Sequence, residues 1–342
     1  MLHVRAVTRG FAFSHGMGAA LMYLVPLDSR RSTPPSTFPL GGLGTGNGSW
    51  GLGLGTSLYL KDDRYRITAG FGGGTFNYNF YGIGPDAGAQ GLAIPFSQRS
   101  RAYLIEPTVR VFRNWYAGPR YHHISNDVSL NQDKLKAEFG GNLPPNFLND
   151  LPVPLPDGLN LTTAALGLRI KRDSTDSPFY PRSGSLLDIT LDFFEPAFGA
   201  QRNYKNFDVD YNKYISLGSK NVLATHVAAC LVAESAPFFD VCLLGNSKDL
   251  RGYPIGQYRD DRMLDGQAEF RRELFWRLGA VAFFGVGEVA KTFGDFTGSN
   301  LIPGGGIGLR YDLAERNHLN LRADYAWGKN SHAFYMSIGE AF

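Results

Sequence analysis

Residues 319–327 read LNLRADYAW, and this stretch decides the fold class of the chain. Successive side chains of a β-strand point to opposite faces. One face is apolar and ends in two aromatic rings; it comprises Leu319, Leu321, Ala323, Tyr325 and Trp327. The other face carries Asn320, Arg322 and Asp324. An apolar, aromatic-ended face opposite a fully charged one is typical of a membrane barrel, with lipid outside and a wet lumen inside.

The same alternation recurs along the chain in blocks of about 10 to 14 residues, the strand period. In residues 305–311 (GGIGLRY), apolar side chains oppose Arg310, and in residues 264–271 Phe270 opposes Glu269 and Arg271. Soluble sandwiches also alternate, so the aromatic ends and the Gly density separate the two classes. Fifteen strands are expected, near 14–26, 36–46, 50–60, 64–78, 100–112, 118–130, 159–171, 184–195, 205–217, 221–233, 262–275, 277–290, 302–312, 317–328 and 332–342. A closed bacterial barrel has an even number, so either a strand at 3–12 is missing from this set or the 36–60 region is divided wrongly.

The composition excludes several other classes. Gly accounts for 42 of 342 residues, aromatic residues for 13% and charged residues for only 19%, whereas soluble domains have about 25% charged residues. This balance disfavours helical bundles and coiled coils. A net charge of +3 without any basic run gives no support for nucleic-acid binding. No apolar run reaches the roughly 18 residues of a transmembrane helix.

The connections alternate in length. Short turns are expected at 61–63, 218–220 and 314–317, and long loops rich in Gly, Pro and Asn at 80–98, 131–158 and 234–261. Short periplasmic turns and long extracellular loops are the pattern of an outer-membrane barrel. We therefore expect one transmembrane barrel domain over residues 14–342, with both ends periplasmic. Residues 1–13 are interpreted as an N-terminal extension or the remnant of an export signal.

A set of ordered motifs gives the chain a family resemblance. The last long loop contains Leu250-Arg251-Gly252-Tyr253, the next strand carries Glu269, and both lie between KRDSTDSPFYPRSG (171–184) and a Gly-rich strand (304–310). In this series the chain resembles the bacterial surface antigen family, outer-membrane barrels of BamA and TamA type. The resemblance implies sixteen strands, although twelve to sixteen suit the sequence.

The resemblance also implies a loop lock, in which the RGY loop folds into the barrel and Arg251, Gly252 and Tyr253 meet Glu269 on the wall. Family members usually place a second acid in an F-x-D-x-G arrangement on the following strand. Here residues 283–287 read FFGVG, so Gly285 occupies the acidic position, and Glu288 nearby has the opposite strand parity. The sequence therefore leaves open which residue is the second acidic partner of the loop.

Four further charges are expected to face the lumen, namely Arg271, Arg310, Arg322 and Asp324. Phe342 is the last residue, and Ile338, Met336 and Phe334 precede it on the same strand face, interrupted by Glu340. This pattern resembles the terminal strand that outer-membrane insertion machinery recognises, so Phe342 is interpreted as a terminal insertion signal.

The sequence shows no catalytic or cofactor motif. It lacks a G-x-S-x-G elbow, an HExxH pair and a phosphate loop. His122 and His123 are adjacent and would point to opposite faces of a strand, so no metal site is expected. Cys230 and Cys242 are twelve positions apart, and we expect them to be two buried free thiols. A disulfide between them is the alternative, which an oxidising compartment would permit.

We therefore expect a non-enzymatic barrel of the bacterial outer membrane without cofactors. The resemblance implies insertion or translocation of polypeptide or lipid through strands that part at the barrel seam. Family members carry periplasmic POTRA modules and none is expected here, so a separate periplasmic POTRA-like or chaperone partner is anticipated. We also expect contact with outer-membrane lipid and a homodimer formed through the seam. Nucleic-acid binding is not expected. The alternative is a passive pore or structural barrel.

Overall fold

A computed structural model describes residues 16–28, 33–90, 93–131, 133–135, 159–233, 236–245, 249–314 and 318–342. The chain is almost entirely β-structure, and fifteen strands form one antiparallel sheet. The expected strand near 3–12 and the interpretation of residues 1–13 lie outside these described residues.

Each strand of the large sheet pairs with its neighbours in sequence, except that β10 pairs with β13 across a small hairpin formed by β11 and β12. The strands are β1 (Gly16–Val25), β2 (Ser36–Thr45), β3 (Trp50–Leu60), β4 (Tyr65–Phe80), β5 (Ile94–Phe112), β6 (Trp115–Leu130), β7 (Leu159–Asp173), β8 (Gly184–Phe194), β9 (Tyr204–Ser216), β10 (Asn221–Val232), β11 (Cys242–Leu244), β12 (Tyr258–Asp260), β13 (Arg262–Glu273), β14 (Leu278–Ala290), β15 (Ile302–Ala314), β16 (Leu319–Gly328) and β17 (Ser331–Ile338).

The sheet curls into a barrel, so side chains from distant strands line one interior space. Met22 of β1, Tyr214 of β9 and Ile338 of β17 border the same cavity of about 350 Å³. On the outer surface Ile307 and Leu309 are exposed, whereas the alternate residue Arg310 is buried inside. The predicted polarity, apolar outside and charged inside, is therefore confirmed, and the fold is a transmembrane antiparallel β-barrel.

The fifteen expected strands correspond one to one with the fifteen strands of the large sheet, including the separate strands β2 and β3. Over the described part of the chain, this number is one below the sixteen that the family resemblance implies. Among the described residues, β1 and β17 are the two edges of the sheet. Pairing extends further than expected on β4 and β5, which continue to Phe80 and start at Ile94. The intervening loop contains the short helix α1 (Pro85–Gln90).

The longest connections leave one rim of the barrel, and most connections at the other rim are short turns. Turns at 61–64, 113–114 and 217–220 lie on the same rim, and the loop between β10 and β13 rises from the opposite rim. Within the described part of the chain, no α-helix has the length and hydropathy needed to span a bilayer.

Candidate functional site

The loop between β10 and β13 folds into the barrel. Its hairpin pairs Cys242 with Asp260 and Leu244 with Tyr258. Leu244, Leu250 and Tyr253 are at most 1% exposed and belong to the largest apolar cluster described. The loop thus buries apolar side chains against the inner wall, and this burial stabilises its inward position.

A disulfide joins this loop to the wall. Cys230 lies in β10 and Cys242 begins β11, and their Cα atoms are 5.7 Å apart. The preference for two free thiols is therefore wrong. Sequence separation alone could not show that the hairpin turns back along β10 and brings the two sulfur atoms together. The bond fixes the first part of the loop to the wall.

Arg251 is fully buried and pairs with two carboxylates of the wall. Its Nη2 lies 2.7 Å from Oε2 of Glu269 on β13, and its Nη1 lies 2.7 Å from Oδ2 of Asp324 on β16. Both acids are also 0% exposed. The guanidinium carbon lies 3.4 Å above the ring centre of Phe283 on β14. One loop side chain therefore contacts three wall strands by ion pairing and cation–π attraction.

The second acidic partner of Arg251 is Asp324. It is not Glu288, and position 285 carries Gly in place of an acid. Sequence reasoning placed Asp324 in the lumen but did not connect it with Arg251. A Cβ atom at Gly285 would lie 2.4 Å from Cγ of Gln267 and 3.2 Å from Cδ1 of Leu250. The space an acid would need at position 285 is thus taken by the loop and the neighbouring strand.

Gly252 and Tyr253 complete the contact with β16 and β17. Gly252 has φ +118°, and a Cβ atom there would lie 2.7 Å from the carbonyl carbon of Trp327. Only Gly suits both the backbone conformation and the close approach. The Tyr253 hydroxyl accepts a hydrogen bond from the amide of Lys329 and donates one to the carbonyl of Pro303.

The predicted lumen charges form one buried network around this contact. Arg271 donates from Nε to Oε1 of Glu269 at 2.7 Å, and Arg310 pairs with Asp324. Arg322 approaches Asp324 at 3.6 Å. Arg271, Arg310 and Arg322 are at most 4% exposed. Each buried charge thus has an opposite charge nearby, which offsets the cost of removing it from water.

The C-terminal residues also enter the lumen and join this network. Oε2 of Glu340 accepts a hydrogen bond from Arg310 Nε at 2.7 Å, and the main-chain oxygen of Phe342 accepts one from Arg271 at 2.8 Å. The Phe342 ring packs against Tyr214, Val222 and Ala224.

The expectation that Phe342 shares a strand face with Phe334, Met336 and Ile338 is therefore wrong. Pairing of β17 stops at Ile338, and the chain then turns inward at Gly339, which has φ +93°. The sequence signal for this turn is the Gly at 339 together with Glu340, whose charge suits the lumen better than lipid. Whether Phe342 serves as an insertion signal stays a prediction.

One further group of titratable side chains lies beside Phe342. Ligand atoms of Asp210, His226 and Asp249 lie within 4.8 Å of one another. His226 contacts Asn212 through Nδ1 at 2.6 Å, and its ring stacks on Phe342 at 5.1 Å. All three residues of the group have additional polar or electrostatic contacts within the protein. The group is accounted for by these contacts, and we assign no metal to it.

These features define a class: a transmembrane β-barrel whose inward-folded loop is held by an arginine between wall carboxylates. The Omp85 superfamily domain matches residues 52–342, and the chain therefore belongs to the Omp85 superfamily. Omp85 barrels are transport and assembly proteins, not enzymes.

Three solved structures share the fold and cover 97% of this chain. BamA from Haemophilus ducreyi lacking POTRA domains 1–3 matches with a TM-score of 0.61 at 13% identity, over 69% of its own length. CdiB from Acinetobacter baumannii gives 0.59 at 13% over 57% of its length, and CdiB from Escherichia coli gives 0.63 at 11% over 61%. No curated protein matches the sequence. The chain thus spans between 57% and 69% of the length of these relatives in fold.

Proposed function

We propose that this chain is an outer-membrane barrel, formed by a single domain over residues 14–342, that inserts or translocates polypeptide. In this proposal β1 and β17 part at the seam, and a separate periplasmic partner delivers the substrate. The observation that carries it is Arg251, buried between Glu269 and Asp324. A passive pore needs an open lumen, whereas this loop occupies the lumen. The loop is held by ion pairs, so a chain that competes for these charges could displace the whole loop.

The outer surface supports a location in the outer membrane. Large apolar side chains face outward on both halves of the barrel, including Leu52, Leu54, Phe71, Leu168 and Ile307, each more than half exposed. In a bilayer these side chains contact lipid, which removes the cost of exposing them to water. The sheet edges β1 and β17 are where a second copy could add, so a homodimer through the seam belongs to the same proposal.

The proposal is tested by reconstituting the purified protein in liposomes and adding an unfolded β-barrel substrate. The folded fraction is followed by heat-modifiable migration and protease protection. We expect faster substrate folding than in empty liposomes, and slower folding with Arg251→Ala. Lys220→Ala, an exposed residue on a short turn, is the matched control and should act like the native protein.

Planar-bilayer recording separates this function from a passive pore. We expect small, flickering currents that change in Arg251→Ala. A steady, ohmic conductance, together with no effect on substrate folding, would instead identify a pore and overturn the proposal.

A further inference from the structure

Arg259 lies where the inward loop meets the opposite wall, away from the Arg251 network. It belongs to β12 and is 4% exposed. Its Nε donates to the carbonyl of Gly256 at 3.0 Å and its Nη1 to the carbonyl of Phe238 at 3.4 Å. The guanidinium carbon lies 4.9 Å from the ring centre of Phe80. All these contacts are to neutral groups.

Arg259 differs from the other buried lumen arginines because none of the described carboxylates pairs with it. Arg251, Arg271 and Arg310 each have an acid within 2.7 Å. The titratable groups that act on Arg259 are the phenols of Tyr78 and Tyr81. The adjacent Asp260 points away, since neighbouring side chains of a strand face opposite sides.

Burial lowers the pKa of Arg259 to about 10, so the side chain still carries its charge at neutral pH. A buried charge without a counter-charge is costly, and it normally meets an ion of opposite sign or a polar ligand. The uncompensated positive charge therefore marks this position as suited to an anion.

A cavity of about 280 Å³ opens beside the guanidinium. Its volume is near the lower end of ligand pockets, which span roughly 300–1,000 Å³. The lining includes four aromatic residues, two amide residues and one cation, together with apolar residues of the loop: Phe76, Tyr78, Tyr81, Phe239, Asn79, Gln98 and Arg259. Such a lining suits a small anion attached to an apolar or aromatic group.

We propose that this cavity is a binding subsite for an acidic residue next to an aromatic residue in an extended polypeptide within the lumen. The inference rests on the proposed translocation of polypeptide. A planar carboxylate matches the single guanidinium fork. A phosphate group presents more acceptor oxygens than one guanidinium fork can pair with, and the Nε2 group of Gln98 already donates to Ser100 and Asn126. Membrane lipids lie outside the wall.

The test uses the purified full chain in detergent and two blocked dipeptides that differ only in charge. Acetyl-4-fluorophenylalanyl-glutamate amide and its glutamine counterpart are titrated and followed by fluorine NMR. We expect the glutamate peptide to bind at least about tenfold more tightly. The Arg259→Gln variant should remove this preference, and Arg101→Gln, an exposed arginine on β5, should preserve it.

A second variant covers the case in which Arg259→Gln fails to fold. Ile255 lies at the rim of the cavity and is 42% exposed, so Ile255→Trp should block entry without contacting the interior of the wall. This variant should weaken glutamate-peptide binding at least about tenfold while heat-modifiable migration stays native.

Equal binding of the two peptides to the native protein would overturn the subsite, as would unchanged binding in Ile255→Trp. Inorganic phosphate that binds where the peptide does not would replace the carboxylate assignment. Because peptide binding is measured without transport, a protein that binds the peptide but does not accelerate substrate folding contradicts the proposed function alone. A protein that accelerates folding but shows no peptide preference contradicts the subsite alone.

Discussion

The two sides of the barrel lumen are built differently. On the wall formed by β1 to β5, one patch of inward positions carries only small residues, and it borders a cavity of about 470 Å³. These inward residues include Ala20, Gly41, Gly51, Gly53, Gly72 and Ala102. On the wall formed by β13 to β17, the inward positions carry Glu269, Arg271, Arg310, Arg322 and Asp324, and the RGY loop packs onto them.

The comparison shows that charged side chains and the loop fill one side of the lumen, whereas the other side has open space. A buried charge is costly without a partner, and the charges of this network are paired, so the C-terminal wall holds its side chains and the loop in one arrangement. The glycines of the N-terminal wall need no such partners, because they have no side chains. We infer that the C-terminal wall is the fixed side of the lumen and the N-terminal wall the side with room for another chain.

The largest expected effect comes from breaking the fixed side. Arg251→Ala leaves Glu269 and Asp324 buried with one cation fewer, and removing one partner of a buried pair typically costs about 3–5 kcal/mol. We expect the loop to leave the wall, with faster hydrogen exchange at residues 249–260 and a lower temperature of the heat-modifiable gel shift. Arg251→Lys should recover only part of the loss, because it lacks the bidentate fork. Native exchange in Arg251→Ala would show that the ion pairs do not hold the loop.

The disulfide should have the next largest effect. Replacing Cys230 and Cys242 together by Ser removes the covalent tie between β10 and the hairpin. Closing a loop of about 15 residues is worth about 3 kcal/mol in the chain-entropy model, and the loop between the two Cys is of that order. We expect faster exchange at β11 and β12, while β1 to β5 stay unchanged. Equal changes on both walls would contradict the division of the lumen.

Much of this architecture could be predicted from the sequence because strand alternation is a local property. Many strands of the large sheet have an apolar face opposite a charged, polar or small-residue face, as residues 319–327 show. Their positions and orientations therefore follow without knowledge of their neighbours. Arg251 and Glu269 could be paired because a recognised motif connects them.

The remaining features depend on contacts between distant segments. Asp324 meets Arg251 only because the loop crosses to β16, which no spacing in the sequence reveals. The Cys230–Cys242 bond depends on the direction of the β11–β12 hairpin. The inward turn of the C-terminal residues depends on Arg271 and Arg310, which donate hydrogen bonds to Phe342 and Glu340. Alternation gives the face of a residue but not its partner.

A matched pair of glycine substitutions compares the two walls directly. A Cβ atom at Gly304 would lie 2.5 Å from the carbonyl oxygen of Arg251, whereas at Gly53 the nearest atom is 3.6 Å away. Gly304→Ala should cost about 1–3 kcal/mol through overpacking and should loosen the loop. Gly53→Ala should stay within about 0.5 kcal/mol. The temperature of the heat-modifiable shift measures both, and similar losses at the two sites would remove the distinction between the walls.

The smallest expected effect is a pH dependence of the loop itself. Asp240 lies before β11 and accepts a hydrogen bond from the Tyr204 hydroxyl of the wall. Burial raises the pKa of Asp240 to about 6 from an ordinary 3.8, although the Tyr204 hydrogen bond acts in the opposite direction. The folded state therefore binds more protons than the unfolded state between these two values, and stability should fall as pH rises through that interval.

Asp240 is a single carboxyl of the loop, and its side chain is partly exposed. The heat-modifiable shift of the native protein should thus occur at a slightly lower temperature at pH 7 than at pH 4. Asp240→Asn should remove this component, and the difference between the two proteins isolates it from other titrating groups. If the native protein and Asp240→Asn show the same pH dependence, the loop is insensitive to this carboxyl, and its hold on the wall depends on the Arg251 contacts and the disulfide.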